Sequence, residues 1–390
     1  MNPSDSTEIL ALQAFLSGRQ DEILESICRL VETESPSGDF EGSRDVVDLL
    51  LNTARDIPAI TSVERIRVPG YGEHLKLTAF DGNAGNGSRT LLLGHTDTVH
   101  PRGTLRTQGV RAEEGRLYGP GIFDMKASCV LALEALRALD VLDLPPKGPV
   151  TLLLTCDEES GSKTGRALVE EEARRTKQAL VLEPPAPGGE VKTARKGVAM
   201  WTVAAQGIAA HAGLNPEAGA SAILELARQT ERFHSMKNSA SGTTFNVGVV
   251  SGGTRSNVVA AEAKIEVDVR FSRMKEAQRI SELMRNLEPF DKRIRLTVAG
   301  GLNRGPLERT EGVVRLYQLA REVAGCLGFE LRERSVGGAS DGNFVAALGV
   351  PVLDGLGPDG DGAHATHEHV LISDIVRRCA MLAGLIASLE

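Results

Sequence analysis

The sequence predicts an α/β fold in which a central, largely parallel sheet is interrupted by a smaller two-layer α+β domain. Three observations carry this. The apolar runs Leu91-Leu92-Leu93-Gly94, Val150 to Thr155 and Ala179 to Leu182 lack polar alternation, as strands buried on both faces of a parallel sheet do. Between the first two runs, Val130, Leu131, Ala132, Leu133 and Leu136 keep helical spacing, which gives strand, helix, strand. After the stiff, turn-rich stretch from Pro184 to Gly189 the rhythm changes to alternating strands.

In chain order, residues 7–34 read as one amphipathic helix stopped by Ser35-Pro36-Ser37-Gly38, and residues 41–54 as a second. Residues 62–68 and 75–79 alternate as strands do, and a turn-rich connection follows at 81–87. Beyond Gly189 the order is strand 193–206, helix 218–233, strand 244–250, strand 263–271, helix 275–287, strand 293–299. That βαββαβ order is ferredoxin-like. From Arg304 helices and short strands alternate again, with Val352-Leu353-Asp354 and a final helix at 371–389, so the first domain resumes. The boundaries drawn are 1–188 and 304–390 for its two parts and 189–303 for the insert.

Composition excludes several classes. Hydrophobic content of 41% with 25% charged residues fits a globular chain. A net charge of -8 leaves no basic footprint, so nucleic acid is not an expected partner. Cys28, Cys129, Cys156, Cys326 and Cys379 are scattered without a C-x-x-C pair, the pattern of reduced thiols in a cytosolic compartment. No apolar stretch reaches about 18 residues and the first five residues form no basic n-region, so a cytoplasmic protein without a membrane partner is expected.

Each buried strand ends in potential metal ligands: His95, then Asp157-Glu158-Glu159, then Glu183. Parallel sheets place their sites beyond these carboxyl ends. In His95-Thr96-Asp97 the carboxylate can hold the imidazole in one tautomer. Asp124 stands on a Gly-Pro-Gly turn just before a helix, where a carboxylate can bridge two cations. Glu158 and Glu159 diverge, so one can bind metal while the other moves a proton. A last cluster, Gly362 to His369, is rich in histidine. Singly these are ordinary: adjacent glutamates usually start a solvated helix, and a His-x-Asp is usually a local hydrogen bond. In this order, at successive strand ends, they describe a metal centre.

Together these residues resemble the zinc-dependent exopeptidases and deacylases typified by carboxypeptidase G, acetylornithine deacetylase and aminoacylase. Gly94 to Val99, Gly119-Pro120-Gly121 with Asp124-Met125-Lys126, Asp157 to Ser162, and Leu182-Glu183-Pro184 stand in that family's order over nearly the whole chain. The resemblance implies two Zn2+ ions per subunit, with Co2+ and Mn2+ suited to the same donors. It makes His95 and Glu183 ligands of one, Glu159 and His364 ligands of the other, and Asp124 the bridge. It implies that Asp97 supports His95, and that Glu158 is the general base, taking a proton from the attacking water and returning it to the leaving nitrogen. His364 is chosen because it stands four residues before Glu368; His367 and His369 replace the usual residues at their places, and His367 is a competing ligand.

The resemblance further implies that the insert is a lid and dimerisation domain, with a homodimer as the assembly. His211, in Gly207 to Gly213, would act on the partner's site as a hydrogen-bond donor to the developing oxyanion. Arg304, Asn257, Arg270 and Ser340 match substrate-contacting places, Arg304 as a fork for a carboxylate. For Arg270 an ion pair within the insert's sheet is an equal reading. The function implied is a metallo-carboxypeptidase or amidohydrolase that releases a C-terminal amino acid, glutamate foremost, from a small or short peptidyl or N-acyl substrate with a free carboxylate. The alternatives are an N-acyl-amino-acid deacylase and, from another class, a non-catalytic amino-acid-binding scaffold.

Overall fold

The structure is a computed structural model that describes residues 3–83, 88–238 and 241–389; residues 84–87 of the predicted turn-rich connection lie outside these. The chain forms two compact units. The first comprises Met1–Thr193, Arg309–Val336 and Ser340–Glu390, the second Ala194–Glu308 with Gly337–Ala339. The second unit therefore begins later than the 189–303 drawn from sequence. The reason is local: Val191 and Lys192 hydrogen-bond Arg332 and Asp354 of the first unit.

The first unit is built on a six-stranded sheet in the spatial order Ile60–Val68, Gly72–Ala79, Val150–Thr155, Thr90–His95, Gln178–Val181, Val352–Leu353. The last four are mutually parallel and the first two antiparallel. Leu91, Leu92 and Leu93 are fully buried, as are Leu152, Leu153 and Leu154 of the neighbouring parallel strand. Burying each such side chain contributes about 1.5–3 kcal/mol, so this pairing holds its register firmly. The helix Ala127–Val141 follows the Thr90–His95 strand and is almost wholly buried; Ile372–Ser388 and Pro3–Gly18 belong to the same core.

Several elements depart from the sequence reading. The predicted first helix is two, Pro3–Gly18 and Gln20–Val31, broken where Arg19 turns out of helical geometry to pair with Glu22 and Glu134. The predicted strand 193–206 is also two, Val191–Arg195 and Gly197–Gln206; the shorter pairs with Glu333–Val336. Residues 122–126, read partly as helix, wind as one wide turn before Ala127.

The second unit has an antiparallel sheet in the order Thr244–Gly252, Glu262–Phe271, Gly197–Gln206, Arg295–Arg304. Its burial follows the period of a strand: Ala263, Ile265, Val267, Val269 and Phe271 face inward and alternate with Lys264, Glu266 and Asp268. Leu226 and Phe233 of Ala222–Ser235, with Ile280 and Met284 of Met274–Arg285, close that core. This is the ferredoxin-like arrangement. Among the described residues no helix is long and apolar enough to cross a membrane.

Candidate metal centre

Parallel pairing sets the site. His95 lies opposite Thr155, so the strands that end at His95, Thr155 and Val181 release the chain at one sheet edge. Thr96 N–H bonds Thr155 O at 2.8 Å and Leu182 N–H bonds Leu93 O at 2.9 Å, carrying the register past the strand ends. Asp124 reaches the same place from the wide turn Ile122–Lys126. Gly121 starts that turn at φ 71, and a Cβ there would stand 2.3 Å from Thr98 Cγ2. The Asp124–Met125 peptide is cis.

One Asp124 oxygen lies 3.2 Å from His95 Nε2 and the other 3.4 Å from His364 Nε2. His95 Nε2 is also 3.7 Å from Glu183 Oε1, and His364 Nε2 is 3.1 Å from Glu159 Oε1. Ligand atoms of His95, Glu158 and Glu183 lie within 4.8 Å of one another, as do those of His95, Asp124 and Glu159. Imidazole nitrogen with carboxylate oxygen is a donor set for Zn2+. A carboxylate whose two oxygens face different imidazoles is arranged for sharing between two cations. These residues therefore fit a metal centre. His364 reaches Asp124 and Glu159 from φ 65, a left-handed conformation that costs a non-glycine residue about 1–3 kcal/mol. His367 offers its carbonyl to His369 Nδ1 at 2.9 Å.

Burial and neighbouring charge together shift the ionisation of these groups. Burial pushes the Glu159 carboxyl up to about 7, with the charges of Asp124 and Asp97 adding to it. The hydrogen bond to Asp124 raises His364 to about 9. Burial disfavours a charged His95, yet hydrogen bonds to Asp124 and Asp97 hold its pKa well above the ordinary value. Burial likewise opposes ionisation of Asp124, and the two imidazoles overturn this and hold it well below the carboxylate range.

Two carboxylates are spent on the backbone. His95 Nδ1 is 3.0 Å from the main-chain O of Asp97 and 3.4 Å from its Oδ1, so Asp97 does seat the imidazole. The same carboxylate accepts Glu158 N–H at 3.2 Å, Glu159 N–H at 3.1 Å and the Ser37 hydroxyl at 2.5 Å. Sequence reasoning missed this second role, and Ser37 was read only as a helix stop. It also used Glu368 only to align the histidine loop. That side chain is buried and accepts from Gly121, Phe123 and Asp124.

The remaining candidates separate. Within the second unit His211 and Asn257 come together: Ala212 N–H donates to Asn257 O at 3.0 Å. Both are exposed. Gly213 N–H donates to His211 Nδ1 at 3.1 Å, which leaves the proton of the neutral ring on Nε2 as a donor. Arg304 ends its strand largely buried. Arg270 is held by both oxygens of Asp268, at 2.8 and 2.9 Å, so the ion-pair reading is the one found. Ser340, expected at the substrate, is fully buried and donates to Asp354 Oδ2 at 2.9 Å.

Because cations must displace protons from these groups, apparent affinity for Co2+ or Zn2+ is expected to rise with pH through the Glu159 value of about 7 and on toward the His364 value of about 9. Calorimetry in buffers of different ionisation enthalpy checks this as protons released on binding. A pH-independent affinity across that interval would contradict it.

The family model for peptidase family M20/M25/M40 matches residues 91–388. Carboxypeptidase G2 of Pseudomonas sp. (strain RS-16) is 31% identical over 380 residues, 95% of this chain and 90% of that enzyme. Acetylornithine deacetylase of Myxococcus xanthus is 31% identical over 81% of this chain and 84% of its own. Succinyl-diaminopimelate desuccinylase of Xanthomonas euvesicatoria is 30% identical over 84% and 92%. In fold, the chain superimposes on aminopeptidase PepT of Bacillus cereus with a TM-score of 0.79, at 22% identity over 94% of this chain and 98% of the other. With the matched segment running from the first ligand strand into the terminal helix, the chain belongs to peptidase family M20/M25/M40 and is a metallohydrolase.

Proposed function

We propose that the chain hydrolyses an amide bond to release a C-terminal amino acid, glutamate foremost, from a short peptidyl or N-acyl substrate. The observation that carries this is the 31% identity to carboxypeptidase G2 across 95% of the chain, joined to the intact set His95, Asp124, Glu159, Glu183 and His364. Cations bound there would polarise the scissile carbonyl and make hydroxide available near neutral pH. The rest falls to side chains. Glu158, held through its N–H by Asp97, takes the proton of the attacking water and hands it to the leaving nitrogen. Asp97 keeps that base and the His95 ring in register. Arg304 receives the free carboxylate of the departing amino acid. In a homodimer joined through the second unit, His211 supplies its Nε2–H to the oxyanion in the partner's site.

A second reading, N-acyl-amino-acid deacylation, is favoured by the acetylornithine deacetylase and succinyl-diaminopimelate desuccinylase relatives at 31% and 30% identity. A panel of N-acyl amino acids, dipeptides and folate-like glutamyl amides, assayed with metal-loaded enzyme, decides between them. Glutamyl amides and peptides should be turned over best, and a clear preference for acetyl or succinyl substrates would replace the first reading by the second. In the same panel Arg304→Ala should lower kcat/KM by about 10- to 100-fold, the loss of one charge-assisted hydrogen bond. Amidating the substrate carboxylate should then harm the native enzyme far more than the variant; equal losses would remove Arg304 from this role.

Division of labour between the glutamates is tested by metal content alongside turnover. Glu158→Ala should abolish turnover with metal retained, while Glu159→Ala should lose metal. Equal metal loss in both would make Glu158 a ligand, which its place beside His95 and Glu183 also allows. Action of His211 in the partner's site predicts that inactive His211→Ala and inactive Glu158→Ala chains, mixed under demonstrated subunit exchange, regain part of the native activity. Activity that stays at the level of the separate variants rules it out.

A further inference from the structure

The three segments that carry the second cation's surroundings meet on one side chain outside the ligand set. Glu368 is 2% exposed. Its Oε1 accepts Phe123 N–H at 2.9 Å and Asp124 N–H at 3.0 Å, and its Oε2 accepts Gly121 N–H at 2.9 Å. Its Oε2 also lies 2.7 Å from His100 Nε2. Its own main chain closes the remaining gap: Glu368 O accepts Gly119 N–H at 3.2 Å, and Glu368 N–H bonds Ala365 O at 3.3 Å within the loop of His364. One carboxylate thus ties together the turn that presents Asp124, the loop that presents His364, and the stretch running on from His95 and Asp97 to His100.

We propose that Glu368 is a positioning residue that fixes the spacing of Asp124 and His364 and thereby the affinity of the cation they share with Glu159. This rests on the two-cation reading above. A carboxylate buried for stability alone could spend its lone pairs anywhere. Here all its backbone donors lie in the stretch from Gly121 to Asp124, 244 to 247 residues away along the chain. Only an acceptor with two oxygens can take donors on both sides of that turn. An amide offers one oxygen and turns an NH2 toward the other donors, and aspartate is one methylene too short to reach them.

The test uses Co2+ as the probe, titrated into metal-free native chain and into Glu368→Gln, read by visible absorption and calorimetry. Losing a partner of this kind typically costs 10- to 100-fold in metal affinity. Glu368→Gln should therefore bind the second Co2+ about 10- to 100-fold more weakly, with an altered absorption band, an unchanged far-UV spectrum, and turnover that excess Co2+ restores. A folded variant that binds both ions as the native chain does overturns the proposal. If Glu368→Gln does not fold, Glu368→Asp is read in the same titration and native-like binding by it is equally fatal. Failure of both to fold assigns Glu368 to stability instead. A native chain that takes up no Co2+ removes the metal centre itself and this role with it, whereas native uptake with undiminished uptake by the variant removes only the role of Glu368.

Discussion

The placement of Asp124 between two imidazoles is the constraint from which the rest of the first unit follows. Its oxygens face His95 at 3.2 Å and His364 at 3.4 Å, from a strand near one end of the chain and a loop near the other. A shift of an ångström in either segment would end the sharing of one carboxylate. The first distance is secured by the sheet, because His95 is the last paired residue of a strand whose neighbours are wholly buried. The second has no such support from the central sheet. It is met by the short pairing of His369–Leu371 with Arg116–Tyr118 and by the bonds that Glu368 makes around the turn.

Carboxylates crowded at one edge repel, and the structure sorts them by what satisfies their charge. Asp157 is taken by Thr164 N–H at 2.7 Å, the Thr164 hydroxyl at 2.9 Å and Gly165 N–H at 3.1 Å. Asp97 and Glu368 are likewise surrounded by backbone donors. Acceptance of several N–H bonds stabilises a buried carboxylate without a counterion. Asp124, Glu159 and Glu183 instead face imidazoles, and it is among these that the pKa of Glu159 rises. Asp157 and Glu159, two residues apart, therefore have different circumstances, set by which neighbour supplies the donors.

How much of this was legible in the sequence depends on whether the cause is local. The three buried strands were, since a continuous apolar run states its own environment, and so was the βαββαβ order of the second unit. The hairpin of Arg111–Glu113 and Arg116–Tyr118 was not: half of its six strand residues are charged, and only Glu114 and Gly115, at φ 49 and 76, mark the turn. Arg270 was half legible, because Asp268 stands two residues earlier and so on the same face of the strand. Ser340 and Glu368 were illegible in role. Their partners, Asp354 and the Gly121 to Asp124 turn, are brought to them by tertiary packing alone.

The groups gathered around Asp124, from His95 to His364, belong to the first unit, while His211, Asn257 and Arg304 belong to the second, which has its own core. That separation has a consequence for substrate range. Substitutions in the second unit leave His95, Asp124, Glu159, Glu183 and His364, and the carboxylates of Asp97 and Glu368 packed about them, unaltered. Relatives named for a carboxypeptidase, a deacetylase and a desuccinylase stand at 31%, 31% and 30% identity to this chain. Relatives with three such names at similar identity are what one hydrolytic fold serving several substrate classes would produce. The fold itself is indifferent to the choice among amides.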